Sequence, residues 1–327
     1  MVYNNNKSDT KTITHGVPQG SVLGPLLFIL YVNDFSRASD LLFSILFADD
    51  TSVFIDGTSY DEIIETLNQE LLKVNIWLMA NKLTINTEKT HYMVFHRSRI
   101  KCTKLNVVIQ DRIIDTTKNV KFLGVLLNDK LTWTDHIMYV KNKISKSIGI
   151  LYKTRQYLNK NTLRNLYFTF IYPYLIYCVE VWGNACATHL DPLIILQKKC
   201  IRTITFSSRL EHTAPLFDQL DILNFNKLVT QRIALLMYKH SNNTLPQPIH
   251  ILFSRNDEFH NHNTRQSNHL HLPIGKREGI YKSFTFHGIH IWNYLIMHIP
   301  TNVSYACFKR SVKKHIQDND IIYRTGP

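Results

Sequence analysis

LLFSILFADDTSVFI, Leu41–Ile55, is the stretch that decides the reading of this chain. Two apolar runs flank the adjacent carboxylates Asp49 and Asp50, the pattern of a strand, a tight turn and a returning strand. Two acids between buried strands are costly without a counter-charge, and a divalent cation is one way to neutralise them. Taken alone, the pair reads first as turn formers, because Asp favours turns.

Working outward changes the weight of that pair. Upstream, GVPQGSVLGP (Gly16–Pro25) is a loop rich in Gly and Pro that leads into the apolar run Leu26–Phe35. Glycine permits close backbone approach and proline fixes the path. Ser21 is placed to cap a helix that tolerates Pro25 near its first turn. A capped core helix accounts for Leu26, Leu27, Phe28 and Leu30 but does not require Pro18, Gln19, Gly20 and Ser21. Downstream, NTEKTHYMVF (Asn86–Phe95) is a polar turn and a strand, and VKFLGV (Val120–Val125) lies in a region of short strands with turns at Asp111-Arg112 and Asn128-Asp129.

These four motifs, in this order, resemble reverse transcriptases of retrotransposons without long terminal repeats, of the jockey and CR1 type. The resemblance is clear from Gly16 to Trp133 and looser beyond. It implies RNA-directed DNA synthesis: a primer 3′-hydroxyl attacks the α-phosphate of a deoxynucleoside triphosphate, and two divalent cations, Mg²⁺ or Mn²⁺, stabilise the attacking and leaving oxygens. It makes Asp49 a catalytic metal ligand and Asp50 a ligand or supporting carboxylate. Gly16, Pro18, Gln19, Gly20, Ser21, Phe47 and Ala48 would shape the template and nucleotide pocket, the small Ala48 leaving room for the primer end. Lys89 would act as a general acid at the leaving pyrophosphate; without the resemblance it is a solvated turn lysine. Phe122, Leu123 and Gly124 would form the primer grip, or simply a structural hairpin. The implied partners are an RNA template, a DNA primer and deoxynucleotides, and the implied location is the nucleus or a cytoplasmic ribonucleoprotein. The family places a further catalytic Asp on a strand upstream of the GVPQGS motif. Asp9, in a polar stretch, lacks that strand context. The expectation is therefore an N-terminally truncated polymerase that is inactive alone, the alternative being a nucleic-acid-binding remnant without catalysis.

Composition agrees with a folded intracellular protein. The chain has 327 residues, 44% of them hydrophobic, with 17 Phe and 16 Tyr, enough for one large domain or two smaller ones. Its five cysteines show no C-x-x-C spacing, which argues against zinc knuckles and a disulfide framework. The apolar run Leu166–Trp182 is interrupted by Pro173 and Glu180 and reads as a buried helix or helix pair, with no membrane span or secretion signal expected. Charge is uneven: residues 1–100 carry eight Lys/Arg against eleven Asp/Glu, and the remainder thirty against fourteen. Such a basic region suits a phosphate backbone.

Periodicity supplies the elements. Ser59-Tyr-Asp-Glu62 has the form of a capping box, followed by an apolar stripe of Ile63, Leu67, Leu71, Val74 and Leu78 that predicts a helix ending near Asn81. Trp133–Leu158 predicts a long helix with Ile137, Val140, Ile144, Ile148 and Leu151 on its apolar face. Between Leu131 and Arg164 stand seven Lys/Arg and one acid, Asp135. Lys143, Lys146 and Lys153 are candidate contacts to a nucleic-acid backbone. Asn161–Trp182, Asp191–Phe206 and Asn224–His240 read as helices, Ser241–Pro273 as a polar loop region, and the segments around Ile291 and Phe308 as short helices. The fold class expected is α+β: a partial polymerase palm, an antiparallel sheet with helices, over 1–130; a helical thumb over 131–185; and a mostly helical region over 186–327.

Overall fold

The computed structural model describes residues 2–3, 6–7, 16–17, 20–96, 105–258, 269–272 and 283–319. The class is α+β, with two-stranded sheets and many helices, and the chain divides into two compact units, 1–118 and 119–327.

In the first unit, β1 (Val2–Tyr3) pairs with β2 (Asn6–Lys7). Helix α1 (Gly24–Tyr31) follows the glycine-rich loop. The N-cap is Leu23 and not the expected Ser21, whose Oγ accepts from Gly24 N at 3.1 Å just ahead of the helix. The expectation of a buried core helix fails too: Leu26, Leu27, Ile29 and Leu30 are all exposed. Strands β3 (Phe43–Phe47) and β4 (Asp50–Phe54) form the hairpin anticipated from Leu41–Ile55. Helix α2 (Tyr60–Ala80) ends at Asn81. Only half of the capping box forms. Ser59 accepts from Glu62 N, while the Glu62 carboxylate takes a bond from Thr58 Oγ1 instead of returning to Ser59.

The α2 stripe separates two small cores. Leu71 packs with Leu105, Val107, Ile109 and Ile114; Val74 packs with Phe35 and Leu42. Strand β5 (His91–Tyr92) pairs in parallel with β8 (Asp115–Thr116), against the antiparallel sheet expected, while β6 (Val108–Ile109) and β7 (Arg112–Ile113) form a hairpin. Its turn is Gln110-Asp111, one residue before the expected position, because both residues take positive φ, 50° and 61°. Positive φ at both loop positions matches the twist of a tight hairpin.

The second unit begins with β9 (Asn119–Phe122) and β10 (Val125–Asn128), again antiparallel. Helix α3 (Thr134–Thr154) then buries all five residues of the expected face: Ile137, Val140, Ile144, Ile148 and Leu151. The single helix foreseen over Asn161–Trp182 is three: α4 (Lys160–Phe170), α5 (Tyr172–Ile176) and α6 (Val179–Trp182). Pro173, which lacks an N–H, sits in the first turn of α5, and Cys178 at φ 50° starts α6. Helices α7 (Ala187–Thr205), α8 (Ala214–Gln219), α9 (Phe225–Ser241) and α10 (Gln247–His250) follow, then α11 (Phe284–Leu295) and α12 (Tyr305–Asp318).

Asn or Ser side chains cap α4, α9, α11 and α12, as expected for residues that accept from the free N–H groups of a first turn. α9 is the hub, burying Phe225, Leu228, Ile233, Ala234 and Met237 among α5, α6, α7, α11 and α12. One continuous apolar cluster runs from Ile137 to Ile316. No helix among the described residues is long and apolar enough to cross a membrane.

Candidate functional site

The carboxylate pair sits at the tip of the β3–β4 hairpin. Phe47 pairs with Asp50, leaving Ala48 and Asp49 as a two-residue turn. Ala48 holds φ at 51°, a region that disfavours a Cβ. Side chains alternate across the sheet. Leu46 and Val53 therefore face the small core of Phe35, Leu42 and Val74. Phe43, Phe47, Asp50 and Phe54 share the other face, where the Phe43 and Phe54 rings lie 6.1 Å apart. That face is open: Phe43 and Phe47 are each 62% exposed, and Asp49 and Asp50 are exposed as well. The sequence pattern places the acids between buried strands. The structure corrects this, because one face of the hairpin packs and the other does not.

The packed side is anchored by a buried carboxylate that sequence patterning missed. Ser39 Oγ donates to Glu70 Oε2 at 2.6 Å and accepts from Leu42 N at 3.0 Å, while Lys73 Nζ lies 2.7 Å from Glu70 Oε1. The bonds from Lys73 and Ser39 hold the Glu70 carboxyl below its ordinary pKa. This network ties the entry to β3 onto α2. Its only sequence signal is the Glu70–Lys73 helical spacing.

Lys89 stands apart on the turn before β5. Asn86 shapes that turn, its backbone and side-chain oxygens both accepting from Lys89 N. The Lys89 side chain is exposed. A shallow polar hollow of about 330 Å³ beside it is lined by Thr84, Asn86, Thr87, Glu88 and Arg112. In the upstream loop Gly16 and Gly20 take φ of 79° and 81°, and a Cβ at either would meet no atom within 4 Å, so conformation and not crowding calls for glycine there. Pro18 and Gln19 lie outside the described residues.

In the second unit Leu123 and Gly124 are the two loop residues of the β9–β10 hairpin, with φ of 44° and 88°. The Tyr177 hydroxyl donates to Leu123 O, and a Cβ on Gly124 would lie 3.3 Å from the Tyr177 ring. The hairpin is fixed to α3 by His136, whose Nδ1 accepts from Leu126 N at 3.3 Å, and by Asn128, whose side chain bonds Thr132 and Asp135. Burial lowers the His136 pKa, which favours the neutral ring that an accepting Nδ1 requires. Lys143, Lys146 and Lys153 are all exposed on α3.

Asp49 and Asp50 offer only oxygen ligands, which suits Mg²⁺ held by one or two carboxylates together with substrate phosphates. Among the described residues no group of three or more His, Cys, Asp or Glu is placed to hold a metal ion.

The reverse transcriptase (RNA-dependent DNA polymerase) family matches residues 1–127, the stretch that holds the carboxylate hairpin. The chain is related to polymerases of retrotransposons without long terminal repeats. It is 30% identical over 209 residues to the RNA-directed DNA polymerase from mobile element jockey of Drosophila funebris, covering 61% of this chain and 23% of that protein. Against Drosophila melanogaster proteins it is 28% identical over 205 residues to the probable polymerase from transposon X-element and 24% over 211 to that from transposon BS. These matches cover 61% and 62% of the chain, and 22% and 23% of the two relatives. The chain thus spans less than a quarter of the length of these three relatives. No solved structure matches it.

Proposed function

We propose that this chain is the catalytic-hairpin and nucleic-acid-holding part of an RNA-directed DNA polymerase, extending a DNA primer on an RNA template with deoxynucleoside triphosphates. The observation that carries the reading is the exposed Asp49–Asp50 pair at the tip of a two-residue hairpin, within a stretch that matches the reverse transcriptase family. Residues 1–130 would supply part of the palm, and 131–185, with α3, the thumb.

Asp49 and Asp50 would hold Mg²⁺, which when bound stabilises the charge on the attacking and leaving oxygens. Their exposure at the hairpin tip leaves both carboxylates free to meet a cation and the phosphates of a substrate. Ala48 presents only a methyl group at the turn, which leaves the tip open to a primer end. The loop Gly16–Ser21 lines the template and nucleotide side. Lys89 stands as a proton donor for the departing pyrophosphate. At the Leu123-Gly124 turn, Gly124 would offer its backbone to the primer strand. Lys143, Lys146 and Lys153 neutralise backbone phosphates, a contribution that weakens with salt.

The test is primer extension on an RNA template by a polymerase containing these residues, with Asp49→Ala beside it. Loss of several kcal/mol of transition-state stabilisation predicts a rate at least about 100-fold lower, with primer–template affinity little changed. Undiminished extension by the variant would overturn the assignment of Asp49.

A further inference from the structure

The C-terminal ends of α3 and α7, which pack together, carry a group of side chains outside the polymerase reading. The Arg155 guanidinium lies over two rings, 5.8 Å from the Tyr152 centroid and 5.2 Å from that of Phe206. Both rings remain open, Tyr152 at 61% and Phe206 at 47% exposed, and Tyr157, two residues along the chain from Arg155, is 79% exposed. No carboxylate pairs with Arg155 among the described residues; its guanidinium contacts are the two rings, so its fork of N–H donors is open to a ligand.

Phe206 is held outward by its backbone. It caps α7 at φ 59°, where glycine would be the easier residue. The bland explanation, a staple between helix ends, would bury the rings it uses, and these are left open. The surroundings are cationic: the sequence holds no Asp or Glu between Asp135 and Glu180, while Lys153 and Arg209 are exposed nearby in the chain. The neighbouring acid is Glu211. Its carboxylate accepts from Ser208 N, and its backbone oxygen accepts from Arg202 Nε at 2.9 Å.

Open aromatic faces, a stacked guanidinium and a surplus of positive charge are what unpaired nucleotides require. Bases stack on Tyr, Phe and the Arg plane, and the phosphates follow the cations. Paired bases in a duplex do not offer their faces. We infer that Tyr152, Arg155, Phe206 and Tyr157 form a stacking platform for single-stranded RNA, distinct from the backbone contacts along α3. The choice of RNA over DNA rests on the polymerase reading, in which the unpaired strand is the RNA template.

The experiment measures fluorescence anisotropy of the 327-residue chain with a labelled oligouridylate. The comparison ligands are an abasic strand of equal length and charge, oligothymidylate and an RNA duplex. The expected result is tighter binding of the base-bearing strand than the abasic one, by about tenfold for each ring engaged. Tyr152→Ala and Phe206→Gly should remove that preference while duplex binding and melting temperature hold; the glycine suits the backbone at 206. Equal affinity for the abasic strand would overturn the platform, as would a preference that survives both substitutions. Tighter binding of the deoxy strand would overturn the assignment to RNA. Variants that change only self-association in sedimentation would show a protein interface instead. Failure of primer extension leaves this comparison intact, so the two readings fall separately.

Discussion

Gly124 shows how a single residue can be given a role by resemblance and a need by geometry. The resemblance makes it a point of close approach to a primer. The structure shows a two-residue hairpin loop in which Leu123 and Gly124 both hold positive φ, with the Tyr177 ring against the glycine. Gly124→Ala therefore meets both backbone strain and a crowded Cβ, and should destabilise the second unit by about 1–3 kcal/mol, read by urea denaturation. An unchanged midpoint would show that the turn relaxes freely. The acids of the first hairpin behave differently. Asp49 and Asp50 are exposed, so Asp49→Asn should leave metal-free stability within about 0.5 kcal/mol of the original. The same change should weaken Mn²⁺ binding, followed by paramagnetic broadening at the hairpin. Their position at a turn was legible because Asp between two apolar runs has few other places to go. Their exposure was not, because an apolar run does not say which of its faces is covered. Glu70 escaped notice for a related reason: a charged residue on a helix reads as solvated until Ser39 and Lys73 are seen to satisfy it.

At the scale of elements, 3.6-residue periodicity was the dependable signal. It located α2 and α9 close to their observed ends, missed the end of α3 and the start of α7 by four residues each, and named five of the six buried residues of α3, His136 being the sixth. It failed across Asn161–Trp182, where the apolar pattern continues through two breaks in the backbone. Strand pairing was harder still. The parallel partnership of β5 and β8 joins segments far apart in the chain, and no local pattern announces it. The α3 surface carries the element-scale prediction. Lys143, Lys146 and Lys153 are exposed on one helix, and Lys143 lies over the Tyr139 ring at 5.5 Å. Replacing all three by Ala should reduce the log–log salt slope of duplex binding by about 0.9 for each phosphate that is no longer neutralised. The buried face is untouched, so the helix content read by circular dichroism should hold. An unchanged slope would move the binding face elsewhere.

For the whole molecule, the contrast between the two units sets the order in which structure melts. The second unit has one continuous core built around α9, and in it His240 is buried against His250 and Phe253, with ring centroids 4.3 Å and 4.8 Å away. Burial first, and the neighbouring His250 charge second, press the His240 pKa down to about 4, with Glu258 opposing. An unfolded chain takes up this proton near pH 6.5, so the unfolded state binds more protons between pH 6.5 and about 4. Stability from this residue is therefore complete above pH 6.5 and declines as pH falls to about 4. His240→Phe should flatten that part of the melting-temperature profile, leaving the smaller slopes of His136, His290 and His315, whose pKa values burial also lowers. The first unit has no comparable reserve. Its described cores are the separate groups around Leu71 and Val74, and α1 and the outer face of the β3–β4 hairpin leave large apolar side chains exposed. Local stability follows buried apolar packing, so backbone amides of α2 should exchange with solvent deuterium well before those of α3 and α9. Added denaturant should melt the two sets in separate steps, the α2 set first. A single cooperative step with equal protection would mean that the two sets unfold together and that the smaller cores of the first unit do not limit its stability.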